Sequence, residues 1–540
     1  MVFKTPNDVK QIPNGIPNDL LIHQFVLNDS HKYGRAKLSR SKTTFIDGIS
    51  SKSLSISQII QRVDVLSRTF DKLLGSESRT DPWSRVVCFF TPNTIDYMPC
   101  AWAIQKAGGI VSTANAMYGA SELAYQLKDC GAKQIGCHST TLKVCLEAAK
   151  LARLPTSSIF TFDQVRGYPS IDDLASAGKQ VQTLPEIRLS HGEATTRVAF
   201  LCYSSGTTGL PKGAMISHRN VISNVLQLNT YDAQPHCSDV VMGVLPMSHI
   251  YALVLVGHLE VFRGNTIIML PRFTFPTFCA SVERYKITHG YIVPPIVIQL
   301  LKNPEVRKHD LSSVRYWFVG AAPMSEEVAN GFCKLYPKTA LRNGYGMTET
   351  CTVTTYTSQE DIMLGSSGCL LPNIEARVVG SDGKDIKEFN KSGELWVKGP
   401  NVVLGYLHNQ QATDATIDRD GWLKTGDEVE VRKSPKGREH FWILERIKEL
   451  IKVKGMQVAP AELEACLLSH PDVVDAAVIP VPDDYSDELP KAYCVVLKPS
   501  ESLKKDIYDH VAQQKSGKLN IIYRLLTLSS QAFKRRNRIH

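Results

Sequence analysis

The 540-residue chain has no apolar run long enough to cross a bilayer, so no α-helical membrane span is expected. Its start, Met1-Val2-Phe3-Lys4-Thr5-Pro6-Asn7-Asp8, lacks the charged-then-apolar layout of a signal peptide. The 13 cysteines never fall as Cys-x-x-Cys. Neither a zinc site nor a disulfide framework is therefore indicated, and reduced thiols in an intracellular compartment are expected. Repeats and low-complexity blocks are missing too. The net charge of +9 would suit nucleic acid, but residues 501–540 hold nine Lys/Arg against three Asp/Glu. Most of the excess is thus a solvated tail rather than a basic face with interleaved aromatics, and no nucleic-acid partner is expected.

What is present is an ordinary globular composition, 43% hydrophobic and 21% charged, at a length that implies two or more domains. Residues 43–47 read as a strand. Over 55–74, Ile59, Val63, Leu66, Phe70, Leu73 and Leu74 recur at helical spacing behind a serine N-cap. Residues 85–90 read as a strand and 94–107 as the helix after it. The alternation continues through strands at 266–270 and 314–319, the pattern of a parallel α/β architecture. Nearer the end, Pro460 opens a helix that buries Leu463, Cys466 and Leu467, and strands at 473–481 and 491–498 complete a compact α+β unit.

Three motifs carry chemistry. The first is Tyr203 to Gly213, Y-S-S-G-T-T-G-L-P-K-G, between an apolar strand at 198–202 and a helix at 218–226. Gly206 and Gly209 let the backbone approach a ligand, and Ser204, Ser205, Thr207 and Thr208 add hydroxyl donors. Lys212 supplies a point charge suited to phosphate. Pro211 falls where G-x-x-x-x-G-K-[ST] needs its second glycine, which excludes a P-loop NTPase. The second is Arg342-Asn343-Gly344-Tyr345-Gly346-Met347-Thr348-Glu349-Thr350. Here Tyr345 offers an aromatic face to adenine, Thr348 a donor to phosphate, and Glu349 the hard oxygen that Mg2+ prefers. In the third, Lys424-Thr425-Gly426-Asp427, an ionised Asp427 can accept from both ribose hydroxyls.

Residues 204–213 resemble the phosphate-loop signature of the AMP-forming adenylating enzymes, a superfamily of acyl-CoA synthetases, 4-coumarate–CoA ligases, beetle luciferases and peptide-synthetase adenylation domains. The resemblance runs from the first helix to about residue 500. It implies a large N-terminal α/β domain over 1–444, with mixed α/β layers and a small β-rich subdomain. A hinge at 445–449 and a small α+β C-terminal domain over 450–540 would follow. It also implies a two-step acid–CoA ligase using ATP, Mg2+ and coenzyme A. His249, in Pro246-Met247-Ser248-His249-Ile250-Tyr251, would lie at the acyl carboxylate, with Tyr251, Leu255, Gly320, Gly344, Thr352 and Val353 around the acid. Ser204, Ser205, Gly206, Thr207, Thr208, Gly209 and Lys212 would hold the phosphates. Gly320, Ala321, Asn343, Gly344, Tyr345, Gly346, Met347 and Thr348 would border the nucleotide, Glu349 would take the magnesium, and Asp427 and Arg446 the ribose. Lys448 would be the hinge pivot, Lys452 and Gln457 would serve the active site, and Arg272, Lys454 and Gly455 would approach CoA. Relative to 4-coumarate–CoA ligases, Leu255 replaces a frequent serine and Thr352-Val353 replaces Pro-Val. An apolar or medium-chain acid, or a differently substituted aryl acid, therefore fits as well as coumarate.

The chain departs from the resemblance at its end. The family's P-K-[ST]-x-[ST]-G-K ending is replaced by Gln514-Lys515-Ser516-Gly517-Lys518-Leu519, with Lys534 later. Lys518 has the local flavour and Lys534 the spacing, and both are carried as candidates for the terminal catalytic lysine. A shifted reading frame, retained intron or lost terminus is the hypothesis for this scrambling; an intact, in-frame transcript over 512–540 would contradict it. Two alternatives follow: an enzyme that hands its acyl-AMP to a carrier, or a catalytically impaired nucleotide-binding homologue. Arg538-Ile539-His540 is not an S-K-L-type address, so a cytoplasmic protein is expected, or a peroxisomal one if the terminus is aberrant.

Overall fold

Four β-sheets organise the described residues. The computed structural model describes residues 2–28, 33–35, 39–75, 79, 81–204, 211–232, 238–322, 324–449, 451–453, 456–458, 460–483, 487–496, 499–514 and 522–527. For 452, 453, 456, 457, 461, 462, 487, 512–514 and 522–527 it describes the backbone alone.

In the six-stranded sheet, Ile159–Thr161, Gln134–Cys137, Val86–Phe90, Ile110–Thr113 and Val198–Ser204 run parallel, and Lys212–Ser217 closes the edge antiparallel. Every residue of Val86–Phe90 is buried, as a central strand covered on both faces requires. The nine-stranded sheet is parallel from Thr43–Asp47 through Thr266–Met269, Val240–Gly243, His289–Ile292 and Tyr316–Val319 to Ala340–Met347. Antiparallel strands Ser53–Ser55 and Thr352–Tyr356 flank it, and Cys369–Leu370 extends the latter edge. The helix Ile56–Leu74 is capped by Ser55, whose hydroxyl accepts from the Gln58 amide while the Gln58 side chain returns to Ser55. One continuous core runs between the two large sheets, and a second lies on the other face of the six-stranded sheet.

The third sheet is antiparallel: Phe3–Lys4, Glu375–Val379, Ser392–Lys398, Leu423–Lys433 and Glu439–Arg446. The fourth is built from residues after 450 and has its own core of Ile451, Leu463, Leu467, Val473, Cys494 and Ile507. The architecture is thus a large α/β body with a β-rich part and a small α+β body, as expected. Two details differ from expectation. The helix expected from 94 begins at Tyr97, because Asp96 takes the N-cap position and Asn93 is engaged elsewhere. The buried Asn93 amide donates to the carbonyls of Leu245 (2.8 Å) and Leu270 (3.1 Å) and accepts from the Met247 amide (2.8 Å). A strand, Lys212–Ser217, also intervenes between the glycine-rich loop and the helix His218–Tyr231. Among the described residues no helix is long and apolar enough to cross a membrane.

The small body docks on the large one through Lys302. Its Nζ donates to the carbonyls of Leu468, His470 and Val473, each at 2.8 Å, at the C-terminal end of the helix Pro460–Ser469. A cation there satisfies carbonyls that the helix leaves open and meets the negative end of its dipole. Lys302→Met removes all three donors. Proteolytic cleavage between the bodies is expected to quicken by roughly tenfold, the effect of losing about 1.4 kcal/mol of docking; an unchanged cleavage rate would show that the contact does not hold the bodies together.

Acid sensitivity is built into the core. His258 lies between the edges of Trp102 and Phe200, its Nδ1–H donating to the Leu253 carbonyl at 2.6 Å. Burial lowers its pKa from 6.5 to about 4. The unfolded chain therefore binds this proton first, and stability is lost as pH falls from 6.5 towards 4, by about 1.4 kcal/mol per unit at most. Urea midpoints across that range measure the effect; a flat profile would contradict it.

Candidate active site

Strands Val198–Ser204, Tyr316–Val319 and Ala340–Met347 end at one place, with the segment after Val240–Gly243, and the carboxyl ends of open α/β sheets are where ligands bind. The nucleus is Glu349, in the short turn Thr348–Thr350 and only 5% exposed. Its Oε1 accepts from the Ser204 hydroxyl at 2.9 Å and from the Tyr406 hydroxyl at 2.8 Å. Lys212 pairs across the strands with Ser204, and its Nζ stands 5.2 Å from the centre of the Tyr406 ring. Backbone hydrogen bonds fix this group. The Val403 amide donates to the Glu349 carbonyl (3.0 Å), and the Leu407 amide to that of Gly213 (2.8 Å).

Asp427, 3% exposed, lies within the strand Leu423–Lys433 opposite Arg446. Its Oδ2 accepts from the Tyr345 hydroxyl at 2.5 Å and its Oδ1 from Arg446 Nε at 3.2 Å. Burial raises the Asp427 pKa, and Arg446 and Tyr345 oppose the rise. Burial, followed by the charge of Asp427, pushes the Tyr345 phenol up. Nearby in sequence, Asn343 Oδ1 is buried with no partner among the described residues, an acceptor that awaits a donor.

A cavity of about 40 Å³ adjoins this group. His249, Tyr251, Phe318 and Val353 line one part of it, and Gly320, Ala321, Tyr345 and Met347 another. His249 caps the helix Ile250–Val254, its Nδ1 accepting from the Tyr251 amide at 3.2 Å. His249 is an exposed residue on the cavity rim, and desolvation by the protein packed around it lowers its pKa, which favours the neutral ring. Tyr251 is fixed by donating to the Phe318 carbonyl at 3.0 Å. Thr352, another lining residue, has φ +106°, a value that β-branched residues seldom adopt, and its hydroxyl donates to the Ile250 carbonyl at 3.0 Å. Strain of this kind collects at functional sites. The glycines make room: a Cβ on Gly346 would lie 1.4 Å from the Thr352 carbonyl oxygen.

The structure thus brings Ser204, Lys212 and Glu349 together, joins Tyr345, Asp427 and Arg446, and sets His249, Tyr251, Gly320, Ala321, Gly344, Gly346, Met347, Thr352 and Val353 around one cavity. Leu255 is a correction. It is fully buried at the start of the π-helical turn Leu255–Leu259, where it joins the apolar core instead of lining the cavity. Arg272 and Lys448 are exposed. Ser205, Gly206, Thr207, Thr208, Gly209, Lys454, Gly455, Lys518 and Lys534 lie outside the described residues, as do the side chains of Lys452 and Gln457, whose backbones pair in the strands Ile451–Val453 and Met456–Val458. Sequence reasoning missed Tyr406 and Phe318. The pairing of a Gly-Tyr with the loop strand leaves no local signature, whereas Phe318 shares a strand end with Gly320 and was open to inference.

A buried carboxylate with a lysine beside it and a second buried carboxylate paired to an arginine and a tyrosine thus flank one cavity. The chain belongs to the AMP-binding enzyme family, which matches residues 35–407, and the AMP-binding enzyme C-terminal domain matches residues 462–522. It is similar to the acyl-CoA ligase easD of Emericella nidulans, with 36% identity over 96% of this chain and 94% of that protein. The acyl-CoA ligase gloD of Glarea lozoyensis is 36% identical over 95% of this chain and 93% of its own length. Among solved structures, the anthranilate CoA ligase AuaEII in complex with anthranoyl-AMP has the same fold, with a TM-score of 0.80 over 97% of this chain and 98% of that one at 22% identity.

Proposed function

We propose that this chain is an ATP-dependent acid–CoA ligase whose substrate is an apolar carboxylic acid. The observation that carries the reading is Tyr345, which lines the cavity while its hydroxyl reaches Asp427, so that one side chain joins an acid pocket to a nucleotide site. In the first step a carboxylate oxygen attacks the α-phosphorus of ATP, forming acyl-AMP as the bond to pyrophosphate breaks. In the second, the CoA thiolate attacks the acyl carbon, the thioester forms, and AMP leaves with the electron pair of the broken C–O bond. Neither step needs a protein nucleophile; positioning and charge stabilisation suffice.

Asp427 takes the ribose hydroxyls and Asn343 Oδ1 accepts from the adenine amino group, which satisfies its buried carbonyl. Lys212 and Thr348 meet the phosphates together with residues 205–209. Glu349 fits magnesium: it is a hard carboxylate whose two donors among the described residues share one oxygen. When bound, Mg2+ offsets the phosphate charge that an incoming carboxylate would otherwise meet. Neutral His249 faces the acid, and Ile250, Phe318 and Val353 favour an apolar body behind its carboxylate. Domain boundaries at 1–444 and 450–540 with a hinge at 445–449 belong to this proposal, Lys448 turning so that Lys452 and Gln457 in one orientation, and Arg272, Lys454 and Gly455 in the other, serve the two steps. Lys518 or Lys534 is the terminal lysine.

No disulfide links the twelve described cysteines, which supports a reducing compartment, the cytoplasm; a peroxisomal signal from an amino-terminally tagged chain would contradict that. Acid-dependent exchange of labelled pyrophosphate into ATP, run over aryl, medium-chain and long-chain acids, tests the adenylation step. Exchange driven by apolar acids is expected, and exchange with none of the panel would overturn the reading.

A further inference from the structure

The residues that hold Glu349 in place are not those of its own motif. Both donors to the carboxylate come from other segments, Ser204 from the end of its strand and Tyr406 from the chain after Lys398. Both meet the same oxygen, Oε1, and among the described residues no donor reaches Oε2. A carboxylate pinned through one oxygen has its other presented in a set direction, the arrangement by which outer partners orient a metal ligand.

Tyr406 also does a second thing. Its ring lies under the Lys212 ammonium at 5.2 Å from the centroid, within reach of a cation–π attraction. The backbone explains why one residue can serve both. The Leu404 amide donates to the Met215 carbonyl (3.0 Å) and the Met215 amide to that of Gly405 (2.9 Å), while the Leu407 amide reaches Gly213 (2.8 Å). Residues 403–407 are thereby stitched to the strand that carries Lys212 and, through Val403, to Glu349 itself. Gly405 at φ +127° lies against the side chain of Thr413, and Thr413 Oγ1 accepts from the Tyr406 amide at 2.9 Å. The phenol is over-determined in position.

We propose that Tyr406 is a positioning residue for MgATP: its hydroxyl aims the Glu349 carboxylate at the metal, and its ring places the Lys212 ammonium at the phosphates. The inference rests on the proposed reading of Glu349 and Lys212 as the metal and phosphate ligands. It separates two contributions that a merely structural tyrosine would not separate, because the hydroxyl serves only the metal and the ring only the phosphates.

The test is calorimetric binding to the full chain of MgATP and of ATP in EDTA, in wild type, Tyr406→Phe and Tyr406→Leu. Tyr406→Phe keeps the ring. It is expected to weaken MgATP binding by about tenfold or more, the usual effect of losing an outer partner of a metal ligand, and to leave metal-free ATP binding unchanged. Tyr406→Leu is expected to weaken metal-free ATP as well. Equal weakening of both ligands in Tyr406→Phe, or no change in either, overturns the proposal. Should Tyr406→Leu not fold, Tyr406→Phe decides by itself, since the proposal requires the loss of its hydroxyl to fall on MgATP alone. If the wild type binds MgATP but drives no pyrophosphate exchange with any acid, the ligase reading fails while the outcome for Tyr406 still stands.

Discussion

Asp427→Ala is expected to lower kcat/KM for ATP by roughly 10²–10⁴, the effect of losing two charge-assisted hydrogen bonds to ribose at about 1.5–3 kcal/mol each. The carboxylate is almost wholly buried and both of its oxygens are already engaged, by Tyr345 at 2.5 Å and by Arg446 at 3.2 Å. On the proposed reading a nucleotide enters a polarised site and its ribose hydroxyls join or replace these donors. Removing the carboxylate leaves the Arg446 guanidinium and the Tyr345 hydroxyl without this acceptor, so some loss of stability accompanies the loss of binding. Asp427→Asn keeps the size and one acceptor, and its loss should fall between wild type and alanine. Steady-state kinetics over ATP concentration at saturating acid measures all three. An alanine variant within about threefold of wild type would remove Asp427 from the nucleotide site, since that is below a single such hydrogen bond.

Gly346→Ala is expected to damage the acid pocket more than any other single methyl. The added carbon would stand 1.4 Å from the Thr352 carbonyl oxygen and 2.5 Å from its carbon. Backbone on both sides must move, because this is where the antiparallel pairing of Ala340–Met347 with Thr352–Tyr356 shifts register, between Tyr345 and Gly346. Thr352 already holds a positive φ and ties the turn to Ile250. Relief of the clash thus moves the cavity wall together with the segment that carries His249. Overpacking that flexible side chains absorb costs about 1–3 kcal/mol; a clash between backbones should exceed that range. Gly344→Ala is the comparison: its Cβ would meet the Phe318 ring at 2.3 Å and the Thr355 carbonyl oxygen at 2.9 Å, so a smaller backbone displacement and a smaller loss are expected. Chemical denaturation and the KM for the acid report the two effects. A Gly346→Ala protein within about 1 kcal/mol of wild type, with an unchanged acid KM, would contradict the close pairing described.

Both predictions rest on features that differ in how readable they are from sequence. The Ser55-capped helix and the apolar strands around Val86 and Phe318 follow directly from periodicity and turn chemistry. Pro211-Lys212-Gly213 reads as loop, because proline and glycine outweigh the short run Ala214-Met215-Ile216; only pairing with Val198–Ser204 makes it a strand. Asp427 suggests a turn beside Gly426, yet it sits inside an eleven-residue strand whose partner delivers Arg446. Leu255 aligns with a pocket position, but the π-helical turn that begins there places it in the core. Tyr406 is some 57 residues from Glu349 in the chain, and no local pattern joins them. Contacts of that kind are set by the meeting of sheets, which a one-dimensional reading does not contain.

Oxygen transfer puts the central claim to its most direct test. The protein is incubated with MgATP, CoA and an apolar acid whose two carboxylate oxygens are 18O, and the products are read by mass spectrometry. Attack of the carboxylate on the α-phosphorus, followed by thiolate attack on the acyl carbon, leaves one labelled oxygen in AMP and one in the acyl-CoA. Unlabelled AMP, or ADP in its place, would mean that the chain does not activate its acid by adenylation.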